Sequence, residues 1–149
     1  MRALETAGAI ALPHRRPVDV LDDLRELDFG AFEGRAYDEI AAAEPELYER
    51  WMREPTRVRF PGGECYDDLR RRSLAAVAEL RDAAREGDVV AVTHSGVVRA
   101  VVADLLGVPA GLIFRLRVDT ASVTVVDWVG EEPLVGPVGA AAGDLPAAG

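Results

Sequence analysis

Hydrophobic and polar positions along the chain follow two periods, one typical of helices and one typical of buried strands. In residues 66–86 the apolar side chains recur every three or four positions, which predicts an amphipathic helix that ends at Gly87. The next run, "DVVAVTH", is continuously apolar up to its histidine and is typical of a buried parallel strand. A second helical pattern, "SGVVRAVVADLLG", follows at once and ends at Gly107.

Three further segments complete the pattern. "RALETAGAIA" has apolar residues about one turn apart and predicts a helix that runs up to Pro13. "YDEIAAAEPELYERWMRE" predicts two short helices separated near Pro45, and "TASVTVVDWV", which is rich in β-branched residues, predicts a strand. Helices that alternate with strands predict a layered α/β fold.

Length, charge and cysteine content narrow the class of protein. The 149 residues predict a single domain, which we place at residues 1–138 and expect to be followed by a loose tail at residues 139–149. The net charge of −9 argues against nucleic-acid or anionic-membrane partners, because both need clustered cations. No apolar run approaches the length of a membrane span. The one cysteine, Cys65, cannot form an internal disulfide, so a cytoplasmic location is expected.

His94 stands at the end of the predicted buried strand and at the start of the next helix. In α/β sheets, ligands bind at the carboxyl ends of parallel strands. The backbone N–H groups of Ser95, Gly96 and Val97 would open the helix and form an anion site with its positive dipole end. A histidine there could donate hydrogen bonds to an oxyanion. The alternative is that His94 is only a helix cap or a core residue.

Other kinds of site are less compatible with this segment. A nucleophile elbow needs G-x-S-x-G, but Thr93 and Val97 stand at the glycine positions around Ser95. The glycine patterns of dinucleotide and P-loop sites are absent. His14 and His94 are isolated in sequence, so no metal site and no cofactor are predicted.

Two glutamates in "LRELDFGAFEG", Glu26 and Glu33, are candidate acids. A carboxylic acid beside a phosphate pocket can protonate a leaving alkoxide if burial or phosphate charge raises its pKa. Taken singly, either glutamate is more typical of a surface charge than of an active-site acid, and Arg2 is unremarkable.

Taken together, these segments resemble the histidine phosphatase superfamily, whose fold is that of phosphoglycerate mutase. "PGGE" is similar to the family's P-G-G-E-S turn, with Cys65 in the place of serine. The other matching segments are, in order, "RALETA", "LRELDFGAFEG", "VVAVTHSGVVRA" and "TASVTVVDW". The order and spacing agree from Met1 to about Val138, which is nearly the whole chain.

The resemblance implies a three-layer sandwich with a mostly parallel central sheet flanked by helices. It also implies roles for individual residues. Arg2 would bind phosphate, Glu26 would be the general acid and then the base that activates water, and His94 would hydrogen-bond the transferred phosphoryl group. Ser95 and Gly96, at the start of the helix that follows His94, would bind the same phosphate. The family works through a phosphohistidine and uses no metal.

The chain departs from the family at the nucleophile. That histidine belongs to an Arg-His-Gly motif upstream of the "RA" helix, and no such motif occurs in this sequence. We therefore expect an N-terminally truncated member that lacks its first strand and has negligible turnover. The missing strand would lie beside Val89–Thr93, so this edge is expected to be unpaired and prone to homodimerisation.

The resulting interpretation is a phosphomonoester hydrolase that acts on a small phosphorylated metabolite. A phosphoglycerate mutase type of phosphoryl transfer is the first alternative, because basic residues that could hold a substrate carboxylate occur at Arg50, Arg53, Arg57 and Arg59. The second alternative is a non-catalytic α/β interaction module.

Overall fold

A computed structural model describes residues 2–145. Its five α-helices are α1 (Arg2–His14), α2 (Tyr37–Ala43), α3 (Pro45–Arg53), α4 (Tyr66–Ala83) and α5 (Ser95–Leu105). Its four strands are β1 (Ser122–Val123), β2 (Val126–Val129), β3 (Glu132–Val135) and β4 (Ala140–Ala141). Within these residues, no helix is both long enough and apolar enough to cross a membrane.

The helix predictions are confirmed, and proline and glycine explain several boundaries. α1 contains Pro13 in its last turn and ends one residue later. α2 ends at Ala43 and α3 begins at Pro45, because the fixed φ and missing N–H of proline suit the first position of a helix. α5 ends at Leu105, and Gly107 behind it adopts a left-handed φ of 64°.

The strands form two antiparallel ladders. β2 pairs with β3 across a tight turn, with Val126 opposite Val135. β1 pairs with β4, so Ala140 and Ala141 of the predicted loose tail belong to a strand, while residues 146–149 of that tail lie outside the described residues. The predicted mostly parallel central sheet is therefore not observed between residues 2 and 145, where both ladders are antiparallel.

Residues 89–93 differ from the strand that their apolar pattern predicts. They pair with no other segment of residues 2–145, and Val90 is 71% exposed. The prediction of a buried strand is wrong here because burial and pairing need a neighbouring strand, which an apolar run cannot supply by itself. The separate expectation that this edge is unpaired is confirmed within the described part of the chain.

Two apolar clusters form the core. The first lies between α4 and α5 and contains Leu69, Val97 and Ala100. The second surrounds Trp51 and Phe60 and is built from α2, α3 and the loops beside them. Leu27 packs against both clusters. The loop that carries Leu27 and the neighbouring Glu26 is therefore held at the junction of the two clusters.

Candidate functional site

Glu26 lies on an irregular loop between two short 3₁₀ helices. Its carboxylate reaches the first turn of α5, where Oε2 accepts a hydrogen bond from the Gly96 N–H at 3.2 Å. Oε1 accepts a second bond from the Leu27 N–H at 3.0 Å. A helix N-terminus favours a carboxylate because its first N–H groups lack intrahelical partners and carry the positive end of the dipole. Two predicted site residues that are 70 positions apart in sequence thus touch each other.

Gly96 has a steric role in this contact. A Cβ atom at position 96 would overlap the Glu26 carboxylate and would lie 3.0 Å from its Cδ. Since the overlapping atoms are the end of a flexible side chain, a larger residue at 96 would displace the carboxylate rather than the backbone. The absence of a side chain at Gly96 therefore lets the Glu26 carboxylate reach the first turn of α5.

A cavity of about 320 Å³ extends from this contact. Arg2, Glu26, Ser95 and Gly96 all line it, so four of the five predicted site residues meet there. His94 does not line the cavity. Its carbonyl accepts a hydrogen bond from the Val98 N–H at 3.1 Å, which makes it the cap residue of α5, without a capping bond from its side chain.

Several other residues that line this cavity are aromatic. Among them, the ring of Trp51 meets the rings of Tyr37 and Phe114 edge to face at centroid distances of 5.6 and 5.9 Å. Tyr66 also lines this cavity, and burial raises its pKa to about 12. Its phenol is therefore neutral at neutral pH.

Glu33 occupies a different environment from Glu26. Its Oε1 accepts a hydrogen bond from the Phe29 N–H at 2.7 Å and closes a turn. It lines a wider cavity of about 710 Å³, which also includes Arg2 and Glu26, but not the smaller one at the helix mouth. Of the two candidate acids, only Glu26 contacts α5.

The four arginines proposed to hold a substrate carboxylate lie elsewhere. Arg50, Arg53, Arg57 and Arg59 line neither of the two cavities. Three of them face acidic partners instead. Arg53 lies 4.0 Å from Glu49, Arg57 lies 3.5 Å from Glu54, and Arg59 lies 2.5 Å from Asp68.

The model of the histidine phosphatase superfamily (branch 1) matches residues 1–138. The chain belongs to this superfamily. Bifunctional protein Rv2228c of Mycobacterium tuberculosis is 34% identical to it over 127 residues, which are 85% of this chain and 35% of the relative. The chain thus spans about a third of the length of that relative.

Solved structures with a similar fold support the assignment to the histidine phosphatase superfamily. Bacillus stearothermophilus YhfR has a TM-score of 0.88 and 27% identity, and the match covers 95% of this chain and 70% of YhfR. Mycobacterial glucosyl-3-phosphoglycerate phosphatase Rv2419c, solved with inorganic phosphate, has a TM-score of 0.80 and 29% identity. That match covers 95% of this chain and 73% of Rv2419c. The fold of histidine phosphatases is therefore shown for this chain.

In this histidine phosphatase chain, two residues behind the Glu26 loop were not singled out from sequence. Arg72 of α4 and Glu64 form an ion pair in which Nη2 and Oε2 lie 2.8 Å apart. A signal for Arg72 was present, because it falls on the apolar face of α4 between Leu69 and Ala76. An arginine on a buried face needs partners, and the pattern alone does not say which.

Two other residues noted from sequence do not reach the site. His14 is exposed at the end of α1. Cys65 caps α4, where its N–H donates to Asp68 Oδ2 at 3.1 Å. Hydrogen bonds from the backbone and side chain of Cys65, together with the Arg59 guanidinium, hold the pKa of the Asp68 carboxyl far below its ordinary value.

Proposed function

We propose that this chain forms the phosphate-binding and acid-bearing part of a phosphomonoester hydrolase of the histidine phosphatase type. The observation that carries the proposal is the contact between the Glu26 carboxylate and the Gly96 N–H, in a cavity shared with Arg2 and Ser95. A guanidinium and a helix N-terminus are both donors for a phosphate oxyanion. A carboxyl group at the same place can donate a proton to the leaving oxygen.

The roles of these groups follow from how charge moves during phosphoryl transfer. Arg2 and the first N–H groups of α5 stabilise negative charge on the phosphoryl oxygens. The family resemblance assigns the role of a further donor to His94, which caps α5 next to the cavity but does not line it. The nucleophilic histidine of the family's Arg-His-Gly motif, which does not occur in this sequence, would attack phosphorus while the ester P–O bond breaks, and Glu26 would give a proton to the departing oxygen. Glu26 would then take a proton from the water whose oxygen bonds to phosphorus as the P–N bond of the phosphohistidine breaks, which releases the histidine and inorganic phosphate.

The covalent step sets the expected activity of this chain. Neither of its two histidines lies in an Arg-His-Gly motif. We therefore expect this chain to bind phosphate without appreciable turnover. The acid and the phosphate-binding groups assist a covalent step, and that step needs the nucleophile.

The position of the arginines favours a phosphatase over a mutase. A mutase acting on phosphoglycerate must hold a carboxylate beside the phosphate. The four arginines predicted for that purpose line neither cavity, and three of them have acidic partners. The substrate class we propose is a small phosphorylated metabolite, and the expected location is cytoplasmic.

We also propose that Val89–Thr93, which is unpaired within the described residues, belongs to a larger sheet. Its exposed apolar residues would be covered in a mostly parallel three-layer sheet if a further strand paired with it. In the chain alone, the same edge is expected to promote homodimerisation.

The test is a titration of the ¹⁵N-labelled chain with inorganic phosphate, followed by NMR. The amide resonances of Ser95 and Gly96 should shift saturably, and Arg2→Gln should weaken this binding. Arg16→Gln is the matched control, because Arg16 is an exposed arginine that follows the same helix. Absence of binding, or equal binding in Arg2→Gln, would reject the proposal and favour an interaction module.

A further inference from the structure

Arg72 is a buried arginine whose side-chain donors are all occupied. It lies in α4 and is 9% exposed. A guanidinium carries five N–H donors in one plane and no acceptor, so burial requires that each N–H finds an oxygen. Two of the five form a fork with Glu64, where Nε and Nη2 donate to the two carboxylate oxygens at 2.9 and 2.8 Å.

The other three donors of Arg72 bind the backbone of the loop that carries Glu26. Nη1 donates to the carbonyl oxygens of Asp23 and Arg25, both at 2.7 Å. Nη2 donates to the carbonyl oxygen of Glu26 itself at 2.9 Å. Loop carbonyls that lack secondary-structure partners thus receive donors from one side chain.

Glu64 holds the same loop from its other end. Its Oε2 accepts a hydrogen bond from the Asp28 N–H at 3.1 Å, and its Oε1 accepts one from the Arg25 guanidinium at 3.1 Å. Burial alone would raise the pKa of Glu64, but the bonds from Arg72 and Asp28 and the charges of Arg72 and Arg25 lower it overall. The pair therefore stays ionised at neutral pH.

The spacing of these bonds bears on Glu26 directly. Arg72 binds the carbonyls of residues 23, 25 and 26, and Glu64 binds the amide of residue 28. These hydrogen bonds lie on both sides of Glu26 in the chain. A buried ion pair adds little net stability compared with an apolar pair of the same size, because both charges lose water. This ion pair instead binds the backbone of a single loop and so fixes the position of that loop, which is what a positioning role requires.

We propose that Arg72 and Glu64 are positioning residues that fix the loop of residues 23–28 so that the Glu26 carboxylate meets the Gly96 N–H. The role in catalysis rests on the proposed function of Glu26 as general acid. The placement of the carboxylate is a property of the chain alone and can be measured without phosphate.

The experiment follows the Gly96 amide resonance of the ¹⁵N-labelled chain as a function of pH. In the unmodified chain this resonance should report the ionisation of the Glu26 carboxyl, and Glu26→Gln should abolish that inflection. Arg72→Lys keeps the charge but loses the planar fork, and we expect it to lose most of the inflection. Arg71→Lys is the matched control on the same helix, because Arg71 is exposed and its one ionic partner among the described residues is Asp68.

Two outcomes would overturn the inference. One is a folded Arg72→Lys chain in which Gly96 keeps the full inflection. If Arg72→Lys does not fold, Glu64→Gln decides, since it keeps the size of the side chain and removes the charge, and an unchanged Gly96 profile there would also overturn it. A failure of phosphate to shift Ser95 and Gly96 would reject the phosphatase proposal but leave this positional result standing.

Discussion

The Glu26 loop and the stretch before α5 are both irregular, yet their polar backbone groups differ in how they are satisfied. In residues 23–28, carbonyls and amides bind the buried side chains of Arg72 and Glu64. In residues 89–93, no backbone hydrogen bond is formed with any described residue, and apolar side chains such as Val90 are exposed.

This difference shows that order depends on partners more than on apolar pattern. The Glu26 loop is rich in charges and looks like a surface segment, but Arg72 and Glu64 supply most of its missing hydrogen-bond partners. The side chain of Thr93 adds one more, from Oγ1 to the Leu24 carbonyl at 2.6 Å. The apolar stretch looks like a core strand, but within residues 2–145 it has no strand beside it. Substitutions that remove the partners of the Glu26 loop should therefore lower the free energy of unfolding much more than substitutions in residues 89–93.

The largest effect is expected from Arg72→Ala. This change removes all the bonds that Arg72 makes to the loop. Among residues 2–145, it leaves the Glu64 carboxylate, which is 13% exposed, with exposed Arg25 as its one ionic partner. Breaking a buried pair in this way should lower the free energy of unfolding by about 3 kcal/mol. Urea denaturation measures it. Arg71→Ala, which breaks only an exposed pair, should cost less than about 1 kcal/mol. Equal losses for the two variants would contradict the assigned role of Arg72.

The second effect concerns acid stability and Glu64. Because the folded-state pKa of Glu64 is lowered, its contribution is complete above the unfolded value of about 4.3 and disappears as pH falls through the folded value. Stability should therefore decline below about pH 4.3. Glu64→Gln should be less stable at neutral pH and should show a shallower decline. Thermal unfolding at several pH values measures both, and parallel curves for the two proteins would argue against the linkage.

A smaller effect on stability is expected from Gly96→Ala. The new Cβ would displace the flexible Glu26 carboxylate, and alanine has a higher helix propensity than glycine by about 1 kcal/mol, so the net change should be within about 1 kcal/mol. The local effect should be large, because the Gly96 N–H loses its carboxylate acceptor. NMR of the residue 96 amide measures this. If that amide keeps the pH response of the unmodified chain, the steric role of Gly96 is wrong.

The smallest effect on folding is expected from Val90→Lys. Val90 is already 71% exposed, so the free energy of unfolding should change by less than about 0.5 kcal/mol. A charge on an unpaired edge opposes strand pairing between molecules. Sedimentation over a range of concentrations should therefore show less self-association than in the unmodified chain. If the unmodified chain stays monomeric at every concentration, the homodimer prediction is wrong.

Much of the helical architecture could be predicted from the sequence. The break between α2 and α3 follows from Pro45, and the end of α5 follows from Gly107, because these residues restrict or extend the backbone locally. The superfamily could also be identified, because its motifs occur in order along residues 1–138. These features depend on residues that are near one another in the chain.

The sheet and the site could be predicted only in part. A strand needs a partner, and a pattern such as "VVAVT" describes side chains without saying whether a neighbour exists. Glu26 and Gly96 could be named separately, but the sequence did not show that they touch. It also did not identify Arg72 and Glu64 as the pair behind the loop.

The sequence by itself determined the helices, their boundaries, the acidic charge and the residue types of the site, since these depend on local geometry and composition. Tertiary structure alone decided that Glu26 rather than Glu33 meets α5, that Arg72 gives its donors to that loop, and that residues 89–93 remain unpaired within residues 2–145. The physical reason is that hydrogen-bond partners far apart in sequence are chosen by packing, and packing depends on the whole chain at once.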